Sequence, residues 1–564
     1  MKTLLKNAKI INVFSESIEE GSILIEGKKI IGVGDYYKDE DADCVEDLGG
    51  RYVCPGFIDG HIHIESTMMV PPSLCESVLP HGTTSVVTDP HEIANVCGID
   101  GIKYMLEMSE NIPLHVYVMI PSCVPATCFD EAGAILHAED IDELYNEKRV
   151  IGLAEMMNYP GVIYNDAPTM DKINDCLKKG YPIDGHAPLL SGKDLDKYVA
   201  AGIHTDHECS EVSEAKEKIK KGQWIMIRQG SAAKNLEKLL PLFEAPFYQR
   251  SLLATDDRNP ADIIDEGHID NIVRLAIKAG KDPVRVIKMA TLNAANCHNL
   301  QFVGAIAPGY DADILVLDDL NEIKIKDVYS LGKKVVDNQS VLSFDIPEAQ
   351  DMVNGSVMNS FHMKDVSADD FRIEASDKKC RVIKVIPGEI LTEELDLDID
   401  FNKNNGIDID KDICKIAVIE RHKNTGHKGV GYINGIGLKE GALAGSVSHD
   451  SHNLIVIGTN DEDMAFAANY IKKIGGGLAV VRGGEVLAKV KLPVAGLMST
   501  DSAKKIADDN KLLREKAAEL GINEEIEPFM NMAFVSLPVI PSLKMTTQGL
   551  VDVDNFKRVG LFAD

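Results

Sequence analysis

The chain is short of positive charge. Its 59 Lys and Arg face 89 Asp and Glu, for a net charge of -30 over 564 residues. That balance excludes nucleic acid and anionic membrane as expected partners, since both repel a polyanion. Long apolar runs are also missing. No stretch approaches the ~18 consecutive apolar residues of a membrane-spanning helix. Residues 1–13 carry Lys2, Lys6 and Lys9 but no long apolar run and no small-residue cleavage site, so no secretory signal is expected. No Cys-x-x-Cys occurs among the eleven cysteines. An odd, scattered set of thiols suits a reduced, cytoplasmic protein better than a disulfide framework. Internal repeats and low-complexity tracts are absent as well.

Two motifs stop short of completion. His137-Ala-Glu139 has the His-x-Glu of zinc nucleobase deaminases, but the later Pro-Cys-x-x-Cys is absent, and Cys123 and Cys128 precede it at the wrong spacing. His91-Glu92 could open a zincin helix, but position 95 is Asn and not His.

What is present is a long globular sequence, 45% hydrophobic and 26% charged. It is too large for one core, so two or three domains are expected. Residues 1–56 read as short strands at 8–13, 22–26 and 29–33, with Glu26-Gly27-Lys28-Lys29 as a hairpin turn. From Phe57 the pattern becomes apolar runs alternating with helical stretches, the mark of parallel βα units. Eight runs occur, at 57–60, 84–88, 114–120, 150–154, 182–185, 203–206, 224–228 and 252–255. Helices are expected at 71–79, 98–110, 167–179, 210–221 and 263–279. Residues 57–300 number 244, close to the ~250 of a (β/α)8 barrel. An open doubly wound sheet is the alternative, and eight runs in this length favour closure.

Near Gln301 the β pattern returns. The stretch Gly304 to Leu317 has turn residues followed by a β-rich run, which completes the β unit begun at the N-terminus. Residues 319–376 are mixed. Strands expected at 382–386, 413–419, 453–458 and 479–482 make 377–564 a further α/β domain. The fold class is therefore α/β: a (β/α)8 TIM-like barrel at 57–300, a small β-sandwich domain formed by both flanks (1–56 with 301–345), and a C-terminal α/β domain at 377–564.

In such a barrel, chemistry gathers at the C-terminal ends of the strands. Strand one ends in Pro55-Gly-Phe-Ile-Asp-Gly-His-Ile-His-Ile-Glu65, where His61 and His63 at i, i+2 point to one side of extended chain. Strand four ends in Glu155, strand five in His186, strand six in His207 and strand eight in Asp256. A single strand-end His can simply cap a loop, and a strand-end Asp is often the N-cap of the next helix. Six such groups on one predicted rim point jointly to a metal centre. Nitrogen and carboxylate donors without thiolate suit Zn, Mn, Fe or Co, and the donor set alone does not choose. The chemical need is a nucleophile at neutral pH. A bound cation lowers the pKa of water from about 15.7 to about 7, roughly 12 kcal/mol of easier ionisation. Glu155 is placed to bridge two cations around one hydroxide. Asp256 could bind one cation, accept the hydroxide proton and pass it to a leaving group.

The ligand order His-x-His, a bridging group after strand four, His, His and Asp resembles the amidohydrolase superfamily. Many members carry a carboxylated Lys at strand four, where this chain has Glu155. Pro55 to Ser66, Asp89-Pro-His-Glu-Ile-Ala-Asn-Val96, Gly152-Leu-Ala-Glu-Met-Met-Asn-Tyr-Pro160, Arg228-Gln-Gly-Ser-Ala-Ala233 and Ser446-Val-Ser-His-Asp-Ser-His-Asn453 closely resemble the bacterial-type adenine deaminases, and the likeness spans nearly the whole chain. It implies hydrolysis of adenine to hypoxanthine and ammonia in purine salvage, by two divalent metal ions, manganese foremost with iron or zinc as alternatives. A cytoplasmic homo-oligomer, a dimer or larger, is expected.

The metal set is His61, His63, Glu155, His186, His207 and Asp256, with Asp256 as base and Glu155 as bridge. Contact with purine N1 is expected from Glu65, Glu92 or His91, each of which could equally orient a metal-bound His. Arg228 and Ser231 could sit over the substrate, and Arg228 could equally form an ion pair below the rim. His449, Asp450 and His452 could make a lid contact, a second metal site or a solvated loop. Two other readings use the same scaffold. One is a cyclic amide hydrolase of the dihydropyrimidinase or hydantoinase kind, which would want a bridging Lys at 155. The other is a catalytically inactive purine-binding protein.

Overall fold

The computed structural model describes every residue except Ala232, Asp377, Lys378, Gly388, Glu524 and Asp564. The expected start of the last unit, at 377, thus lies outside the described residues.

Eight parallel strands form the centre of the molecule. We number them β1 (Phe57–Ile62), β2 (Thr83–Thr88), β3 (His115–Ile120), β4 (Val150–Met156), β5 (Ile183–Gly185), β6 (Thr205–Asp206), β7 (Trp224–Arg228) and β8 (Ser251–Ala254). Each coincides with one of the eight apolar runs. Strands β1 to β5 form one sheet in sequential order, and β6 to β8 form a second. Two parallel bridges close the ring: Ile183 pairs with Ile203 before β6, and Ile62 at the end of β1 pairs with Asp256 beyond β8. The runs are rich in apolar residues because helices cover the barrel from outside, so most residues on both faces of the strands are buried. β1 and β2 have no exposed residue.

The helices follow the expected pattern with one exception. A single helix over 263–279 was expected, but two form instead, Pro260–Glu266 and Ile269–Lys278. Gly267 breaks the run. It sits at φ 109°, and a Cβ there would lie 2.5 Å from Asp270 Oδ1. That carboxylate instead accepts the His268 N–H at 2.7 Å and starts the second helix.

The flanks of the barrel meet in a nine-stranded sheet. Strand Tyr52–Pro55 pairs antiparallel with Ile314–Asp319, which joins the two ends of the barrel segment. The hairpin at Gly27 pairs Glu26 with Lys29. This β domain has its own core of Leu5, Ile10, Ile23, Ile314 and Val316. Beyond it an eight-stranded sheet, with Ile413–Ile419 and Leu454–Gly458 central, carries the helix Asp461–Ile474. No helix among the described residues is long and apolar enough to cross a membrane.

The last unit docks on the C-terminal rim of the barrel. Ser499 N–H donates to the Met68 carbonyl at 2.9 Å, and one hydrophobic cluster runs from Leu74 and Val86 of the barrel into Leu497 and Met498. The loop after β1 is therefore covered by the C-terminal domain.

Candidate metal centre

Each candidate ligand leaves the end of a barrel strand, and acidic groups at the strand ends tie the ligand loops down. Asp59 in β1 accepts the Thr255 N–H at 3.1 Å, the Thr255 hydroxyl at 2.5 Å and the His61 N–H at 3.2 Å. It thereby locks β1 against β8. Asp256 follows at φ 59°, in the left-handed region that non-glycine residues rarely enter. Its N–H donates to the His61 carbonyl at 2.9 Å. That backbone turn aims the carboxylate inward. Asp206 at the end of β6 does the same service for the next loops, accepting the Ala187 and Glu208 N–H groups at 3.1 and 2.8 Å.

The donor atoms converge in two groups that share Glu155. In the first, His61 Nε2 and His63 Nε2 lie 3.2 Å apart. Both face Asp256 Oδ1, at 3.6 and 3.2 Å. Glu155 Oε1 is 3.3 Å from His63 Nε2. In the second, Glu155 Oε2 is 2.7 Å from His186 Nδ1 and 3.0 Å from His207 Nε2. Those two nitrogens are themselves 3.2 Å apart. A cation with ligands at about 2.1 Å holds them roughly 3.0–3.5 Å apart. The other separations fall in that range, whereas Glu155 to His186 at 2.7 Å is a hydrogen-bond distance and His61 to Asp256 at 3.6 Å is just beyond it. His61, Glu155 and Asp256 are nearly solvent-free. These buried groups can hold divalent metal.

The charges around this set do not balance by ordinary titration. Burial, followed by the neighbouring His207 and His63, pushes His61 well below the usual imidazole range. Burial also opposes charge on His63, but Asp256 and Glu155 outweigh it and hold His63 well above that range. Burial disfavours a charged Glu155, yet His186 and His207 hold it well below the carboxylate range. Asp256 is lowered in the same way, against burial, by Arg228 and His63. A site that stabilises carboxylates while crowding imidazole nitrogens together is set up for a cation to displace shared protons.

A second layer surrounds the ligands. Arg228 bonds Glu208 through Nη1, and through Nη2 at 3.0 Å; its Nη1 also reaches Asp256 Oδ2 at 2.6 Å. Arg228 is thus an ion-paired residue at the pocket floor. His63 Nδ1 faces the Asp89 carbonyl at 3.0 Å, which fixes its tautomer and leaves Nε2 for the site. His91 Nδ1 is 3.1 Å from Asp89 Oδ2, and its Nε2 is 3.7 Å from Asp450 Oδ1 in the C-terminal domain.

The remaining candidates separate. His91, Arg228 and His449 line the pocket with the metal-set residues His63, Glu155, His186, His207 and Asp256. Glu65 lies behind them, accepting the Ile93 N–H at 3.1 Å. Burial and the nearby Glu92 push its carboxyl up to about 8. Glu92 accepts the Ser66 hydroxyl at 2.7 Å and faces His452 Nε2 at 3.7 Å. His452 Nδ1 accepts the Ser448 N–H at 3.2 Å, so in the neutral ring Nε2 carries the proton and points a donor at Glu92. Ser231 does not sit over the pocket. Its hydroxyl donates to Asp262 Oδ2 at 2.6 Å and accepts the Asn259 N–H at 2.8 Å, which commits it to holding its loop. The stretch 446–453 is buried and not a solvated loop.

Several residues at the site escaped the reading of strand ends. Asp89 and Glu208 stand directly beyond β2 and β6, and the same strand-end rule would have found them. Asp257 follows Asp256 and lines the pocket. Phe534, Leu537, Ile540 and Ile390 form its apolar side; they carry no signal of their own in the sequence. His137, of the incomplete His-x-Glu motif, caps the short helix Ala138–Ile141.

Comparison with known proteins gives a consistent pattern. Residues 52–341 match the amidohydrolase family model, and residues 389–557 match the adenine deaminase C-terminal domain model. Adenine deaminase 2 of Carboxydothermus hydrogenoformans is 45% identical over 557 residues, covering 99% of this chain and 96% of its own. The adenine deaminase of Desulfatibacillum aliphaticivorans is 46% identical over 561 residues, with 99% and 97% covered. That of Clostridium acetobutylicum is 44% identical over 558 residues, with 98% and 96% covered.

Proposed function

Because the chain belongs to the amidohydrolase family, among its adenine deaminases, we propose that it hydrolyses adenine to hypoxanthine and ammonia. The observation that carries this reading is Glu155. Its two oxygens face two separate groups of imidazoles, with Asp256 completing one of them. Two divalent ions, manganese foremost, would be held by His61, His63, Asp256 and Glu155 on one side and by Glu155, His186 and His207 on the other. When bound, they supply a hydroxide at neutral pH.

The chain's own residues account for the remaining steps. Asp256 takes the proton released as oxygen adds to C6, because its Oδ1 faces the ligand nitrogens while Arg228 holds its Oδ2 at 2.6 Å. It then returns a proton to the leaving amine, so that water and adenine become hypoxanthine and ammonia with no other co-reactant. His91 stands over the pocket between Asp89 and Asp450 and can give the ring nitrogen beside C6 a proton, which the second proton of the water replaces. Three units serve this chemistry: a catalytic barrel at 57–300, a β domain from 1–56 with 301–345, and a C-terminal domain that closes the pocket. A cytoplasmic homo-oligomer belongs to the same reading.

The test is metal analysis together with an ultraviolet assay on adenine, adenosine and a hydantoin. Expected are two divalent ions per chain and loss of adenine with equimolar ammonia. Hydantoin opening without adenine turnover would replace this reading with a cyclic amide hydrolase. Tight adenine binding by a metal-free, inactive preparation would make the chain a purine-binding protein.

A further inference from the structure

Two cavities meet at one short segment of the C-terminal domain. The first is the catalytic pocket. Its barrel side is polar, with His63, His91, His186, His207, Glu208, Arg228, Asp256 and Asp257; its far side carries His449 and Asp450 beside an apolar wall of Ile390, Phe534, Leu537 and Ile540. The second cavity holds about 670 Å³ and lies between the loops after β3 and β4 and the C-terminal domain. Residues 537–540 run between the two. Leu537 and Ile540 line the catalytic pocket, whereas Pro538 and Val539 line the larger cavity. Together with Met157, which lines both cavities, the segment separates one from the other.

The partition is held firmly. Met530, Phe534, Leu537 and Ile540 pack as one buried cluster. The Phe534 ring stacks on His449, with centroids 4.4 Å apart and planes 17° from parallel. Lys544 is fully buried, and its Nζ donates to the carbonyls of Ile390 and Phe534, each at 3.1 Å. Asn531 Nδ2 adds a bond to the Glu389 carbonyl at 3.0 Å. These contacts tie the backbone of Phe534 and Ile390, on either side of the wall, to buried side chains.

Resting on the reading of adenine as substrate, we propose that Leu537 and Ile540 set the size limit of the substrate, by closing the catalytic pocket against the larger cavity. The chemistry of the ring gives the reason. C6 and its amino group must face the polar floor, where the hydroxide and Asp256 act. The N3–N9 edge, on the far side of the bicycle, then turns toward the apolar wall. A free base presents only ring atoms there, the N9–H and the N3 lone pair, with no substituent. A substituent on N9 would extend into Leu537 and Ile540, and beyond them lies empty space. Shortening these two side chains enlarges the pocket on the side of the second cavity, with Pro538 and Val539 behind, where an N9 substituent needs room.

The experiment compares wild type with L537A/I540A and with the milder I540A, on adenine, 9-methyladenine and adenosine, with metal content measured in each. Wild type is expected to act on adenine and to discriminate strongly against both N9-substituted substrates. Both variants should keep their metal, and the quantity read is the ratio of kcat/KM on 9-methyladenine to that on adenine. That ratio should rise by about tenfold or more, with adenosine following in the double variant, the scale set by one or two methylene-sized clashes. V539W in the double variant refills the opened space from the cavity side and should remove the gained activity. I540A serves where the double variant fails to fold. Two results overturn the proposal: unchanged discrimination in variants that still turn over adenine, or a wild type that already accepts adenosine as readily as adenine. A wild type inactive on adenine itself sinks the proposed function along with this one.

Discussion

Glu155 holds His186 at 2.7 Å with one carboxylate oxygen and turns the other toward His63, 3.3 Å away. No other described carboxylate reaches both groups of imidazoles. Replacing Glu155 by Gln keeps the shape but removes the charge and turns one acceptor into a donor. Glu155→Gln should therefore lose most of the metal bound by wild type, and adenine turnover with it. Inductively coupled plasma analysis of the dialysed variant gives the count. Full occupancy would show that Glu155 does not bridge.

Asp256 is clamped between Arg228 and the two histidines of β1. Asp256→Asn should be well tolerated by the backbone, since Asn accepts the left-handed conformation seen at φ 59°. The variant should keep at least one ion. Its kcat should fall by about 10²–10⁴-fold, the range for removing a general base. A rate within a few fold of wild type would exclude Asp256 as the base.

Much of this was legible in the sequence, for physical reasons. Most of the eight strands showed because burial on both faces concentrates Val, Ile, Leu and Met in them. Strands β5 and β6, which are Ile183-Asp-Gly185 and Thr205-Asp206, showed instead through the apolar residues that open their runs. That the six candidate ligands lie together was legible because barrel geometry gathers the ends of those runs on one rim, where His and carboxylate stand out against apolar neighbours. Other features had no local signal. Gly267 breaks a helix whose apolar periodicity continues on both sides of it. Ser231 sits in a motif beside pocket residues but spends its hydroxyl on Asp262 and Asn259. Phe534, Leu537 and Ile540 are ordinary apolar residues until the docking of one domain on another turns them toward the pocket. Long-range packing decides such positions, and short-range pattern does not record it.

The C-terminal domain supplies one whole side of the pocket, from Ile390 to Ile540, and covers the loop that carries Ser66 and Met68. A chain ending at residue 376 should therefore have no measurable adenine turnover. It should also expose the apolar surface now shared by Leu74 and Leu497, and so bind a hydrophobic dye and aggregate on heating. Metal content need not fall in proportion, because all six metal-set residues remain. A truncated chain that still deaminates adenine would make the domain an accessory to the barrel.

Lys544 offers a test that does not depend on metal. Its ammonium is fully buried beside two carbonyls, and burial drives its pKa from 10.5 down to about 7. Between those two values the unfolded chain binds a proton that the native chain does not. Stability therefore rises with pH across that window, and the contribution levels off below it, where both states are protonated. Lys544→Met removes the titrating group while keeping most of the side-chain volume. The melting temperature of wild type relative to the variant should climb from pH 7 toward pH 10, in thermal scans run at matched ionic strength. The variant should also bind adenine less tightly, with KM raised several fold and kcat less affected, because the carbonyls of Ile390 and Phe534 lose the amine that draws them together. Melting curves that stay parallel over the whole pH range would mean that Lys544 remains charged in the folded protein.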